Sequence, residues 1–387
     1  MTSSRERIGD RLRRGLKSGR RVIQRLPSHL HLPRCSFNGA EDIIYVRRDG
    51  SIRCTGWYLS ISRLSSIRYG ERDSDIKIKI NGQVVSYYNG REYMDFSINL
   101  NEISRGAGKN VVGVPVYAPA DWENELIFRY LGPGRNKITF YIEGQPNSSV
   151  DARIYRWEWN SNVVVVDMDG TITRSELRGI LHCYTEEHYL HPEVSTFFLY
   201  LKALGYKVIY LTARPITTIK STRKYLVDDF DQFQREEFTK LPDGPVFTSC
   251  DGRIRTTLNY VGVATGLGGA SHFDFKASFL TEIRKLFYDG ALRAGFGNTE
   301  ADKRSYRSVG IPEERIFDVK KGGRIFTRHP HRFRSYGDLL VKCRSEGIFP
   351  CVGFDHNPDD FFGHIDARMI KWLNWIMNHM PPQGIVY

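Results

Sequence analysis

Four consecutive valines, Val163–Val166, run directly into Asp167-Met168-Asp169-Gly170-Thr171, and this junction restricts the fold more than any other stretch of the chain. An unbroken β-branched run suits a central parallel strand buried on both faces. In doubly wound sheets, ligands sit at the carboxyl ends of the strands. Residues two apart at a strand end project to the same side, so Asp167 and Asp169 are expected to face one point. Gly170 permits a sharp turn away from the sheet. Asp, Gly and Thr are ordinary loop residues, but four apolar residues immediately before them set this loop apart.

The surrounding sequence supports an alternating β/α reading. Strands are expected at Lys207–Leu211, Val246–Thr248, Leu292–Phe296 and Arg315–Val319, and helices around Glu193–Leu204 and Phe275–Phe287. Three further features fall where phosphate chemistry needs them. Thr212 closes a strand, so its hydroxyl and the amide of Ala213 could hold a phosphoryl oxygen. Lys276, expected in the first turn of a helix starting near Asp274, would offset negative charge. Asn298 and Asp302 follow a strand, and oxygen ligands at such a place suit magnesium. Each is weak alone; the ordered set is specific.

Upstream, residues 35–160 read as short strands with turns. Expected strands are Asp42–Arg48, Ser51–Ser60, Asp75–Ile80, Lys137–Glu143 and Ala152–Trp159, with turns at Asp49-Gly50 and Asn81-Gly82. Such spacing predicts a β-sandwich. The aromatics of 153–159 read as a sheet face. Residues 326–387 read as a C-terminal extension, with a helix over Ala367–Met380 that packs against the protein or touches a membrane.

Residues 1–27 carry nine Lys/Arg against two acids. Ile8, Leu12, Leu16 and Ile23 belong to an apolar stripe ended by Pro27, a basic amphipathic helix pattern. An interfacial membrane helix is the favoured reading; a partner or nucleic-acid arm, a presequence and a solvated tail are the alternatives. The net charge of +12 favours polyanionic partners without choosing among them. The chain has no apolar run of 18 residues and so no expected membrane span. Its six scattered cysteines include no C-x-x-C pair and read as reduced thiols.

The stretches Asp167–Glu176, Gly205–Arg214 and Ala294–Phe317 resemble the motifs of the haloacid dehalogenase superfamily. With Trp157-Glu158-Trp159, Asp42–Leu64 and Ile78–Val85, they resemble more narrowly the lipin/Pah phosphatidate phosphatases. The resemblance covers roughly residues 40–90 and 137–320. It implies an α/β fold: a doubly wound parallel-sheet catalytic domain over 161–325 beside an immunoglobulin-like β-sandwich. It implies hydrolysis of phosphatidic acid to diacylglycerol, with Asp167 as nucleophile forming an aspartyl-phosphate and Asp169 as acid/base. Mg²⁺ would be held by Asp167, the Asp169 carbonyl and Asn298. Thr171, Thr212, Ala213 and Lys276 would line the phosphate, with Gly170, Arg214 and Asp302 in support. The partners implied are phosphatidic acid and an anionic membrane surface, with no nucleic acid. Reversible cytoplasmic membrane association follows, on the endoplasmic reticulum or, through Arg13-Arg14 and Arg20-Arg21, in the nucleus. The 61 residues between Thr212 and Asp274 leave little room for a cap domain, which suits a head group presented at a surface. Two alternatives remain at this point: a non-catalytic phosphatidate-binding module, and a phosphatase for phosphoproteins or soluble phosphate esters.

Overall fold

The computed structural model describes residues 35–63, 76–98, 104–105, 115–142, 148–174, 190–224, 226, 241–249, 269–328 and 332–353. The helices expected over 1–27 and Ala367–Met380 lie outside these residues, and with them Ile8, Leu12, Leu16 and Ile23.

The first half of the chain forms β1 (Cys35–Ala40), β2 (Ile43–Arg48), β3 (Ser51–Cys54), β4 (Trp57–Arg63), β5 (Ile76–Ile80), β6 (Gln83–Val84), β7 (Ser86–Tyr88), β8 (Tyr93–Asp95), β9 (Ser97–Ile98), β10 (Ser104–Arg105), β11 (Pro115–Tyr117), helix α1 (Asp121–Arg129), β12 (Gly134–Ile142) and β13 (Ser149–Glu158). One sheet has the order β1-β4-β11-β10 and a second the order β3-β2-β13-β12-β5-β6. Both expected turns have two successive residues at positive φ, Asp49-Gly50 and Asn81-Gly82, as tight hairpins require. The two sheets share a core that includes Trp57, Tyr117, Tyr45, Phe140 and Ile154. Trp57 meets Tyr45, Tyr117 and Phe140 edge-on at centroid distances of 6.5, 5.7 and 5.7 Å; each such pair contributes about 0.5–1.5 kcal/mol beyond its buried area.

The strand expected over Ser51–Ser60 is two strands in different sheets. The Thr55 hydroxyl accepts from the Ile44 N–H at 3.1 Å, and the Gly56 N–H donates to Glu282. The Thr55 N–H still donates to the Ile44 carbonyl at 3.1 Å, but side chains take the neighbouring ladder positions, and the chain leaves the second sheet at Cys54 and enters the first at Trp57.

The second half adds β14 (Val163–Asp167), α2 (Val194–Ala203), β15 (Lys207–Pro215), α3 (Ile219–Arg223), β16 (Val246–Ser249), α4 (Gly269–Arg284), β17 (Leu292–Gly297), α5 (Glu300–Ser308), β18 (Ile316–Val319), β19 (Ile325–Phe326), β20 (Arg332–Phe333) and α6 (Tyr336–Glu346). The sheet order is β16-β15-β14-β17-β18-β19-β20. The first five strands are parallel and the last two antiparallel. Strand alternation splits the valine run between two cores. Val164 and Val166 pack with Phe197, Phe198 and Leu201 of α2 and Leu339 of α6. Val163 and Val165 pack with Phe279, Leu280 and Ile283 of α4, and with Ile44, Tyr155 and Trp157. Helices therefore cover both faces, and the aromatic face of β13 is the seam between the two halves of the protein. Strands β19 and β20 complete this sheet and α6 covers one face, so the boundary expected at 325 coincides with no edge of the fold.

The seam is also polar. The carboxylate of Asp42 accepts from the Val246 N–H at 2.9 Å, and Glu41 accepts from the Thr248 N–H at 2.7 Å. These alternate N–H groups line the outer edge of β16, which would otherwise be unpaired sheet edge. Arg223 bridges Asp42 at 2.8 Å and donates to the Ala40 carbonyl at 2.6 Å.

Candidate active site

Asp167 is the last residue of β14, and everything after it is arranged by one tight turn. The Met168 carbonyl accepts from the N–H groups of Thr171, Ile172 and Thr173. Gly170 sits at φ 87°, a left-handed conformation that glycine adopts without strain. The Gly170 N–H donates to the Thr173 hydroxyl at 3.1 Å, and Tyr336 of α6 donates to the Thr171 carbonyl at 3.0 Å.

Two charge clusters result. In the first, Lys276 donates to Asp167 Oδ1 at 2.6 Å and to Asp302 Oδ1 at 2.5 Å, all three side chains being buried. The Thr171 hydroxyl donates to Asp167 Oδ2 at 3.1 Å. The second oxygen of Asp302 accepts from the Thr299 N–H at 3.0 Å and from its hydroxyl at 2.6 Å, and Thr299 Oγ1 accepts from the Asp302 N–H. This capping box starts α5 and leaves one Asp302 oxygen for Lys276. A Cβ on Gly297 would fall 2.5 Å from that of Asp302, so glycine lets the carboxylate in. In the second cluster, Arg214 grips Asp169 with both prongs, Nε at 3.0 Å and Nη2 at 2.7 Å. Thr212 adds a bond to Asp169 at 3.3 Å and accepts from the Arg214 N–H.

Burial raises the Asp167 pKa to about 7 against the pull of Lys276, and the charges of Asp302 and Asp169 push it the same way. Burial also opposes ionisation of Asp302, but Lys276 and the Thr299 bonds outweigh it and hold that carboxyl low. Burial would lower Lys276, but the two carboxylates overcome this and raise it. The cluster is therefore a protonated lysine between two acids, of which Asp302 stays ionised. Once Asp167 ionises, three buried carboxylates meet two buried cations and one negative charge is left over.

The residues picked out by sequence converge here. Asp167, Asp169, Thr171, Thr212, Lys276 and Asp302 are joined by the bonds above, and the Asn298 N–H donates to Asp302 at 3.3 Å. Ala213 is half-buried between Thr212 and Arg214. Two local expectations differ. Lys276 is two turns into α4 rather than in its first turn, because the helix begins at Gly269. Strand β15 continues through Pro215 instead of ending at Leu211, and its pairing with β16 is irregular between Leu211 and Pro215; such bulges re-aim side chains beside active sites.

Sequence reading missed His191 and Tyr336. The main-chain N–H of His191 donates to the Ile172 carbonyl at 2.9 Å. Its ring is buried beside Gly170, and that burial lowers its pKa. Neither residue sits in a motif, and each meets the turn through contacts distant in sequence.

Among the described residues, no three His, Cys, Asp or Glu side chains gather as a metal-ligand set. An ion would draw on one carboxylate, a main-chain carbonyl and the Asn298 amide, with water. Those all-oxygen donors at the ends of β14 and β17, next to an uncompensated negative charge, fit a hard divalent cation.

A family model described as LNS2 (Lipin/Ned1/Smp2) matches residues 122–350. The chain is 35% identical over 241 residues to phosphatidate phosphatase PAH1 of Arabidopsis thaliana, covering 60% of this chain and 25% of that protein. It is 30% identical over 204 residues to phosphatidic acid phosphohydrolase 1 of Saccharomyces cerevisiae, covering 50% and 22%. It is 29% identical over 242 residues to phosphatidate phosphatase LPIN1 of Homo sapiens, covering 59% and 25%. The chain thus spans about a quarter of the length of these curated relatives. The family match takes in more than half of the chain and every residue of the two charge clusters, and the chain belongs to the LNS2 (Lipin/Ned1/Smp2) family.

Proposed function

We propose that this chain is a magnesium-dependent phosphatidate phosphatase, releasing phosphate and leaving diacylglycerol at a membrane surface. The observation that carries the reading is the pairing of Asp167 with Lys276 and of Asp169 with Arg214 at the carboxyl end of a parallel sheet. The activity for which the relatives are named supports the substrate.

In this reading Asp167 attacks phosphorus and becomes an aspartyl-phosphate. Lys276 donates to the same carboxylate and neutralises charge there as the phosphoryl group arrives. Asp302 holds Lys276 in place. Thr171, Thr212 and the Ala213 amide offer hydrogen bonds to the phosphoryl oxygens. Asp169 protonates the leaving alcohol oxygen and then takes a proton from the attacking water. It must leave Arg214 to do so, and the incoming phosphate dianion competes for that guanidinium. Asp167, the Asp169 carbonyl and Asn298 would hold Mg²⁺, which would supply Lewis-acid stabilisation of phosphate charge.

Residues 35–160 act in this reading as an immunoglobulin-like sandwich bracing the catalytic sheet. Residues 1–27 lay Ile8, Leu12, Leu16 and Ile23 on the membrane, with basic residues toward anionic lipid. Among the described residues no helix is long and apolar enough to cross a membrane.

The test is phosphate release from phosphatidate vesicles and from a soluble phosphate ester, with Mg²⁺, by the full chain and by a chain lacking residues 1–27. The expected result is release from vesicles that falls at least about tenfold on truncation, with soluble-ester turnover little changed. Hydrolysis of the soluble ester alone would make the chain a soluble-substrate phosphatase. Release from neither would make it a binding module.

A further inference from the structure

Between Val319 and Gly337 the sequence holds six Lys or Arg and two His, and not one Asp or Glu. The catalytic chemistry uses none of these cations. The structure places Lys320, Arg324, Arg332 and Arg334 in or beside the strands of the meander β18-β19-β20 at the far edge of the sheet. The register pairs Val319 with Ile325 and Ile325 with Phe333, and all three side chains are buried. The next residue toward the catalytic end of each strand is Lys320, Arg324 and Arg334 respectively, and the Lys320 N–H donates to the Arg324 carbonyl at 2.8 Å. By strand alternation these three share the outer face, and all are exposed. They form a row across strands about 4.8 Å apart, in which like charges repel and Asp318 answers Lys320.

The row lies at the same end as Asp167, because β18 is parallel to β17 and β17 to β14. It is tied to the catalytic turn through Tyr336, two residues beyond Arg334. Exposed Lys321 adjoins Lys320 in the chain. Three acids lie close to the row. Asp318 is shared by Lys320 at 2.8 Å and Lys303 at 3.0 Å. Asp338 accepts the main-chain N–H of Arg334 at 2.8 Å, and Glu193 accepts from Ser335 at 3.2 Å.

We propose that Lys320, Arg324 and Arg334 form a docking surface for an anionic phospholipid bilayer, which brings substrate phosphates to the catalytic end of the sheet. A bilayer fits because it offers many phosphates in a plane, facing both the row and the site. The inference deepens the phosphatidate reading and rests on it.

The test uses the full chain and the triple variant Lys320→Gln, Arg324→Gln, Arg334→Gln. A control variant, Arg91→Gln, Arg129→Gln, Lys285→Gln, removes the same charge from exposed positions elsewhere. Binding is measured to vesicles of phosphatidylcholine alone and of phosphatidylcholine with phosphatidylserine, which is not a substrate. The row variant should lose roughly a hundredfold in affinity for the serine-lipid vesicles. The control should stay within about threefold, and both should hydrolyse a soluble phosphate ester at the wild-type rate. Unchanged vesicle affinity, or an equal loss in the control, would overturn the proposal. So would tighter binding of wild type to a DNA duplex than to vesicles. Serine-lipid binding that depends on the row in a protein inactive on phosphatidate would sink the substrate reading and leave the surface standing. Phosphatidate hydrolysis with row-independent binding would do the reverse.

Discussion

Asp167→Asn is expected to abolish phosphate release, a fall of roughly 10⁴-fold or more, without destabilising the fold. An amide cannot carry the phosphoryl group. The stability half follows from the geometry and the titration of the buried cluster. Lys276 keeps Asp302 as a partner at 2.5 Å when Asp167 becomes neutral. Burial holds the Asp167 pKa up at about 7. The folded state therefore keeps a proton that the unfolded chain gives up in the ordinary carboxylate range. That difference costs stability progressively as pH rises from there to neutrality, and Asn removes the cost. Thermal unfolding at pH 8 in the presence of a chelator should show a midpoint equal to wild type or above it. A midpoint well below wild type would mean that Asp167 is chiefly structural.

Lys276→Met should behave in the opposite way, losing both fold and activity. It leaves Asp167 and Asp302 buried against one another with no cation between them. Removing one partner from a buried ion pair typically costs about 3–5 kcal/mol, measurable by denaturant unfolding. Adding Asp302→Asn removes one of the stranded charges and should recover most of that stability. It should recover no activity, because the ammonium facing the phosphate is still gone. If the double variant hydrolyses substrate, Lys276 acts only as a structural counter-ion.

The residues that converge on the site were legible because each is tied to a strand end. Asp167 and Asp169 follow four valines, Asn298 and Asp302 follow the next parallel strand, and Thr212 follows Leu211. The aromatics of 153–159 were also legible as a sheet face, although not that Tyr155 and Trp157 make it the seam with the catalytic sheet. What was illegible depends on contacts far apart in sequence. Glu41 and Asp42 look like loop acids, yet they complete the edge of β16 more than 200 residues away. Nothing local marks the break at Thr55-Gly56, since its cause is Glu282 in α4. The start of α4 was misplaced because Gly269-Ala270-Ser271 carries no apolar period. Arg214 was picked out as a supporting residue, but only the folded chain shows that it holds the Asp169 carboxylate.

The central claim is that a phosphoryl group passes through the Asp167 side chain. The measurement that tests it most directly is acid-quenched mass spectrometry of the full chain and of Asp169→Asn after mixing with phosphatidate vesicles and Mg²⁺. A phosphoryl adduct is expected on the peptide carrying Asp167 in the wild type during turnover, and it should form and decay more slowly in Asp169→Asn, which lacks both the acid for the leaving oxygen and the base for the attacking water. Steady phosphate release by the wild type with no adduct on that peptide in either protein, or with the adduct on another residue, would contradict the account.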